Sequence, residues 1–375
     1  MARIDLFRME RLQSRYWHQV EYDLSESGVT PLSIEELLGE GQDPRDLLRT
    51  GLGYPLSEGS ERSRELIAQW YAGAATENVT MVNGGSEANL ITLWTLLEPG
   101  DHLAFMVPNY MQGWGLGRHF GEATDVFRLK LRDGQWALDV NELDRVVTRK
   151  TRVVMVCNPD NPTGHIFTDD EMDAVVDVAR RANAWLVADE VYRGAEVDSD
   201  VTSPTFWGRY DKVIVTAGLS KAFAMPGLRV GWVVAPEKLM KKLWIHHDYT
   251  TLTPGMVSDR LTAIAMEPAR REWVLRRTRG ILRSNLPRLE EWIRGHEGIL
   301  TYVRPQAGAI AYVTYRLPIT SSKLIDLIRE EQSVLLVPGD MFGLGKGFRI
   351  GFGQDVEKTL KGLARVDEVL RHLTT

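Results

Sequence analysis

The sequence predicts an α/β fold, a mostly parallel sheet covered on both faces by helices, joined to a smaller α+β domain built from both chain ends. Three observations predict it. From Tyr54 to about Trp232, short apolar runs alternate with helical patterns, the order that produces a parallel sheet. Several of these runs, Val153–Cys157 among them, are apolar throughout, as strands buried on both faces are. Before Tyr54 and after about Pro254 the texture changes to charged helical stretches with isolated strands. The expected division is a large domain over residues 46–255 and a small domain over 1–45 and 256–375.

Taken in order, strands are expected at Val79–Asn83, Leu103–Val107, Asp125–Leu131, Val153–Cys157, Trp185–Ala188, Val213–Thr216 and Arg229–Val234. Helices are expected at Glu87–Leu97, Tyr110–Phe120 and Asp169–Ala182. In the second half, Arg270–Trp292 and Ser321–Gln332 read as helices, and Ile310–Tyr315 and Phe348–Phe352 as strands. Residues 1–8 mix charge with apolar residues at helical spacing and lack the apolar core of an export signal, so they read as a helix of the mature protein.

Composition bounds the function. The chain has 375 residues with 43% hydrophobic and 26% charged residues, ordinary for a soluble globular protein. A net charge of −6 and the lack of a sustained Lys/Arg face argue against nucleic acid. No apolar run reaches membrane-spanning length. The single cysteine, Cys157, cannot form an internal disulfide, which suits a reducing cytoplasm. Its place at a strand end reads as a buried small hydrophobe. His246-His247-Asp248 looks like a metal site on paper, but adjacent histidines on a helix point apart, so no metal is expected.

Ligands of parallel sheets gather at the carboxyl ends of strands, and the loops there carry the chemistry. Asn83-Gly84-Gly85-Ser86 opens a helix and suits an anion, with Ser86 either a phosphate donor or an N-cap. Tyr110, just past a strand, is placed either to stack on a flat ring or to fill the core. Asn158-Pro159-Asp160-Asn161-Pro162-Thr163-Gly164 is a rigid turn that would hold Asn161 in a fixed place. Asp189 ends an apolar strand and needs either a cationic partner or a following helix to cap; Tyr192 is three residues on. Finally, Lys221 in Gly218-Leu219-Ser220-Lys221 precedes a buried-looking Arg229 by eight residues. An amine, small residues and an arginine suit an imine with a phosphorylated aldehyde.

These segments, in this order and spacing, resemble the fold-type I pyridoxal phosphate (PLP) enzymes, specifically the class I/II aminotransferases related to aspartate aminotransferase. The resemblance covers essentially the whole chain and implies a seven-stranded-type large sheet and PLP as cofactor. It implies that Lys221 carries the cofactor as a Schiff base (an aldimine) and that Asp189 pairs with the pyridine nitrogen. Tyr192 and Asn161 would donate to the ring 3′-oxygen, and Tyr110 would stack. Gly85, Ser86, Ser220 and Arg229 would form the phosphate cup. Tyr54 resembles a tyrosine that reaches the phosphate of a neighbouring subunit, implying a homodimer, and Arg349 one that grips the substrate α-carboxylate. Many members carry Ser or Thr three residues before the lysine; here Gly218 stands there.

The resemblance implies transfer of the amino group of an L-amino acid to a 2-oxo acid. The same scaffold also supports lyases and arginine-type oxidases or cyclases, and Ser25-Glu26-Ser27-Gly28-Val29 and Ala217–Lys221 are similar to capreomycidine-forming enzymes. A non-catalytic PLP-binding protein is a further alternative. Fold does not choose among these. Trp17, Trp114, Tyr249 and Thr250–Thr253 are candidates for the pocket edge.

Overall fold

In the computed structural model, which describes residues 4–40 and 42–374, the large sheet has eight strands. Their spatial order is Val79–Val82, Gly231–Val234, Val213–Gly218, Trp185–Asp189, Thr151–Cys157, His102–Val107, Ala123–Arg132 and Gln135–Leu138. The strands from Val213–Gly218 through Ala123–Arg132 are all parallel. Gly231–Val234 runs against both of its neighbours. Seven of the eight answer to the seven strands read from the sequence. The eighth, Gln135–Leu138, was not expected. It is an edge hairpin turned by Asp133 and Gly134, both at positive φ, the geometry of a tight two-residue hairpin.

The strands at the centre of the sheet are buried end to end, as their unbroken apolar runs require. Helices cover both faces. Gly85–Leu96 begins directly after the first strand, and Asp169–Arg181 starts at a capping box in which Thr168 and Glu171 bond reciprocally.

Beyond Met266 the helix Pro268–Arg294 leads into a four-stranded antiparallel sheet ordered Leu300–Tyr302, Ile310–Tyr315, Gly347–Gly351 and Val337–Pro338. The N-terminal strand Tyr22–Asp23 pairs in parallel with Val334–Leu335, so both chain ends meet on this side of the molecule. The expected N-terminal helix is shifted. Ile4–Phe7 is irregular, the helix spans Arg8–Tyr16, and residues 1–3 lie outside the described residues. The apolar residues 4, 6 and 7 instead line a small groove beside Trp114 and Leu116. Among the described residues, no helix is long and apolar enough to cross a membrane.

Candidate active site

A cleft of about 1110 Å³ opens between the carboxyl ends of the parallel strands and the N-terminal segment. It is lined by Gly85, Ser86, Tyr110, Asn161, Asp189, Tyr192, Ser220, Lys221, Arg229 and Arg349. All the site residues expected from the sequence therefore converge, except Tyr54. Tyr54 is 86% exposed and does not line this cleft. Trp17 also lines it, whereas Trp114 and Tyr249 do not.

Gly84 takes φ +95° at the helix N-cap, and a side chain there would meet the Arg229 guanidinium 2.5 Å away. Ser86 therefore sits inside the first helical turn and does not cap it. Its exposed hydroxyl lies 3.5 Å from Tyr110 Oη, on the cleft side. A side chain at Gly85 would meet open space, so the backbone there is bare toward the cleft. The loop is braced from behind: Glu87 Oε2 accepts the Asn83 N–H at 2.5 Å, and Thr251 Oγ1 donates to Glu87 Oε1 at 2.7 Å. His247 faces this brace while His246 turns to Thr95.

Asp189 is 8% exposed and followed by a turn, not a helix, so it caps nothing. One oxygen accepts from Asn89 Nδ2 at 2.9 Å and the other from the Val191 N–H at 3.2 Å. Burial raises its pKa against these donors. Among the described residues it has no ion-pair partner. A buried carboxylate held by neutral donors is a cation acceptor waiting for charge. Tyr192 lines the same cleft and is buried, which raises its phenol pKa. Cys157 is buried, its thiol donating to Pro159 O at 3.2 Å and its pKa raised well above the usual range by burial, which fits a packing role.

Asn161 Oδ1 accepts from Arg349 Nη1 at 3.0 Å, and Arg349 Nη2 donates to Ser25 O at 2.6 Å. Arg349 is 1% exposed, and its Nε is buried without a partner. Its fork is thus fixed from two sides, with the buried Nε–H left unpaired. Arg229 departs from expectation: it is exposed, in the left-handed conformation at φ +53°, with Nη1 donating to Pro226 O at 3.0 Å. The unusual backbone aims its guanidinium back over Gly84. Gly218 pairs with Gly231, and a Cβ on it would come within 2.6 Å of Val230 O. The strand leaves no space for the Ser or Thr that the resemblance leads one to expect there.

Two residues escaped the sequence reading as site components. Asn89 is a buried amide between Ala88 and Leu90 on the helix Gly85–Leu96, and an amide among apolar neighbours was the available signal. Glu26 lies 3.0 Å from Lys221 Nζ. Burial alone would raise its carboxyl, but Lys221, the Gly28 N–H and Arg349 pull its pKa down to about 2. Its signal was only the polar turn Ser25-Glu26-Ser27-Gly28. Tyr110 is held differently from a free stacking ring, with Oη donating to Glu10 Oε1 at 2.7 Å and the ring edge-on to Phe7.

A lysine, a strand-end carboxylate and an anion-suited loop gathered at the carboxyl edge of such a sheet define the class of fold-type I PLP enzymes. The chain belongs to the aminotransferase class I and II family, whose model matches residues 23–366. It is 30% identical to capreomycidine synthase of Streptomyces vinaceus, over 96% of this chain and 92% of that one. A solved PLP-dependent aminotransferase from Streptococcus suis superposes with a TM-score of 0.91 at 30% identity, covering 99% of each chain. The solved PLP-dependent cyclase OrfR superposes with a TM-score of 0.89 at 28% identity, covering 99% of this chain and 98% of its own. The cofactor is pyridoxal 5′-phosphate. The residues present fit it: Asp189 lacks a cation, Gly85 and Ser86 are bare toward the cleft, and Lys221 is within it.

Proposed function

We propose that this enzyme is an aminotransferase that moves the amino group of an L-amino acid to a 2-oxo acid, working as a cytoplasmic homodimer. The observation that carries this reading is the convergence of Lys221, Asp189 and Arg349 on one cleft. In it, residues 46–255 form the cofactor-binding domain and 1–45 with 256–375 the small domain.

PLP, when bound, supplies an electron-accepting ring that weakens the bonds at the substrate's Cα. The residues do the rest. Lys221 Nζ holds the cofactor and, once the substrate has released it, moves the α-proton. Asp189, held in place by Asn89 and the Val191 N–H, would pair with the ring nitrogen. Tyr192 and Asn161 hold the ring oxygen, and Tyr110 covers the ring. Gly85, Ser86, Ser220 and Arg229 bind the phosphate, joined by Tyr54 of a second subunit. Arg349, its fork fixed by Asn161 and Ser25, takes the α-carboxylate. Leu48, Leu52, Tyr54 and Leu56 form an exposed apolar run, which supports a subunit contact.

A second reading, a cyclase or lyase, is favoured by the full-length likeness to capreomycidine synthase and OrfR and by the carboxylate of Glu26 at the lysine. A screen of the loaded enzyme against the amino acids separates the two. One 2-oxo acid and one aminated cofactor per site in a single turnover mark a transaminase; a cyclised or eliminated product with unchanged cofactor marks the alternative. Borohydride reduction should fix PLP to Lys221 by mass spectrometry, and Lys221→Ala should abolish both adduct and turnover. An adduct on another lysine would overturn the assignment.

A further inference from the structure

We propose that Glu26 is the counter-ion that masks Lys221 as an ammonium in the cofactor-free protein. This positioning role rests on the reading of Lys221 above.

Glu26 Oε1 lies 3.0 Å from Lys221 Nζ and accepts the Gly28 N–H at 2.7 Å. The turn that carries it is pinned from several directions. Gln13 Nε2 donates to Ser25 O at 3.0 Å and Ser25 Oγ at 3.1 Å, Arg349 Nη2 donates to Ser25 O at 2.6 Å, and Asp23 Oδ1 accepts the Ser25 N–H at 2.8 Å. A side chain at Gly351 would clash with the Glu26 backbone, so the turn lies flat on the strand Gly347–Gly351. The nearest other cation, Arg349, spends its terminal nitrogens on Asn161 and Ser25. Among the described residues, Lys221 is the cation in direct contact with Glu26.

The arrangement has a chemical consequence. An ammonium has no lone pair, so within this pair Lys221 neither attacks a carbonyl nor accepts a proton. Small stray carbonyl compounds therefore meet a masked amine. An aldehyde anchored by its phosphate and ring stays beside Nζ long enough to compete, because anchoring raises its effective concentration. Condensation starts when the ammonium passes one proton to water: the free amine attacks the carbonyl carbon, the C–N bond forms, the carbonyl oxygen leaves as water, and the nitrogen takes a proton back, so its positive charge is restored. Glu26 faces a cation before and after.

The experiment uses full-length, cofactor-free protein treated with limiting acetic anhydride at neutral pH. Acetylation of Lys221 is read by peptide mass spectrometry against Lys212 and Lys346 in the same digest. Loss of one charge-assisted hydrogen bond predicts labelling of Lys221 about tenfold faster in Glu26→Gln than in the wild type. Glu26→Asp, which keeps the charge, should fall between them. Equal labelling in the wild type and Glu26→Gln overturns the proposal. Should Glu26→Gln fail to fold, wild-type labelling in Glu26→Asp overturns it equally. PLP uptake by the wild type, followed by absorbance, tests the underlying reading separately: a protein that never takes up PLP sinks that reading and leaves the labelling result intact.

Discussion

Asn89 donates to Asp189 Oδ2 at 2.9 Å from a position where only 2% of its own surface is exposed. Its carbonyl oxygen accepts from Thr216 Oγ1 at 2.7 Å, which fixes the amide so that the NH₂ must face the carboxylate. The helix after the anion loop thereby holds the carboxylate at the end of a strand three places across the sheet. Asn89→Ala removes a donor to a charged group, worth about 1.5–3 kcal/mol. PLP affinity should fall by about ten- to a hundredfold, measured by equilibrium titration of the cofactor-free protein. Unchanged affinity would mean that Asn89 is only packing.

Gly218 tests whether a departure from the family pattern is tolerance or necessity. Its Cβ position is blocked by Val230 O at 2.6 Å. Gly218→Ser should destabilise the protein by about 1–3 kcal/mol, read as a lower Tm, without tightening PLP binding. A stable variant with tighter PLP would show that the hydroxyl fits after all.

Tyr54 is exposed and lies outside its own chain's cleft. If it serves a partner, two defective chains should complement each other. Lys221→Ala and Tyr54→Ala are each expected to be inactive or weak alone. Co-expressed, the mixed dimer holds one complete site, made of Lys221 from one chain and Tyr54 from the other, and activity should return to about a quarter to a half of wild type. No recovery, with a mixed dimer confirmed by light scattering and tag pull-down, would refute a shared site.

Asp160 lies in the Asn158–Gly164 turn, buried, with Oδ2 taking the Thr163 hydroxyl at 2.5 Å and Oδ1 unpartnered. Burial outweighs the Thr163 bonds and pushes its pKa up to about 7, from an ordinary 3.8. The folded state therefore binds the extra proton between these values, so the stabilisation is complete below about pH 4 and is lost as pH rises through 7. Between about pH 5 and 8 the wild type should lose roughly 1–3 kcal/mol relative to Asp160→Asn, measured by urea unfolding. Parallel pH curves for the two proteins would show that Asp160 does not titrate in this window.

The sheet and its cleft were legible because both are written locally. Apolar runs such as Val153–Cys157 mark the strands, and Asn161, Asp189 and Lys221 follow strand ends where a parallel sheet gathers ligands. Ile310–Tyr315 and Ser321–Gln332 match the expected limits to the residue. What stayed hidden depends on distant partners. Nothing near Glu26 in the sequence announces Lys221, 195 positions away, and Asn89 acquires meaning only beside Asp189. Arg229 looked buried because its neighbours are apolar, but with its left-handed backbone it lies exposed, its guanidinium over Gly84. The first helix begins later than its periodicity suggested, and the irregular Ile4–Phe7 lines a groove beside Trp114.

The turn Ser25–Gly28 also orders events during synthesis. It is among the first segments to leave the ribosome, yet it is pinned by Arg349 and lies on Gly347–Gly351, among the last. One wall of the cleft therefore lacks its contacts to Arg349 and Gly351 until translation is nearly finished. A nascent chain already carries Lys221 and Asp189, but it cannot enclose a small molecule between them and Arg349. Cofactor capture in a finished cleft is in this sense a signal that the polypeptide is whole, and a chain truncated before the last sheet strand should be released empty.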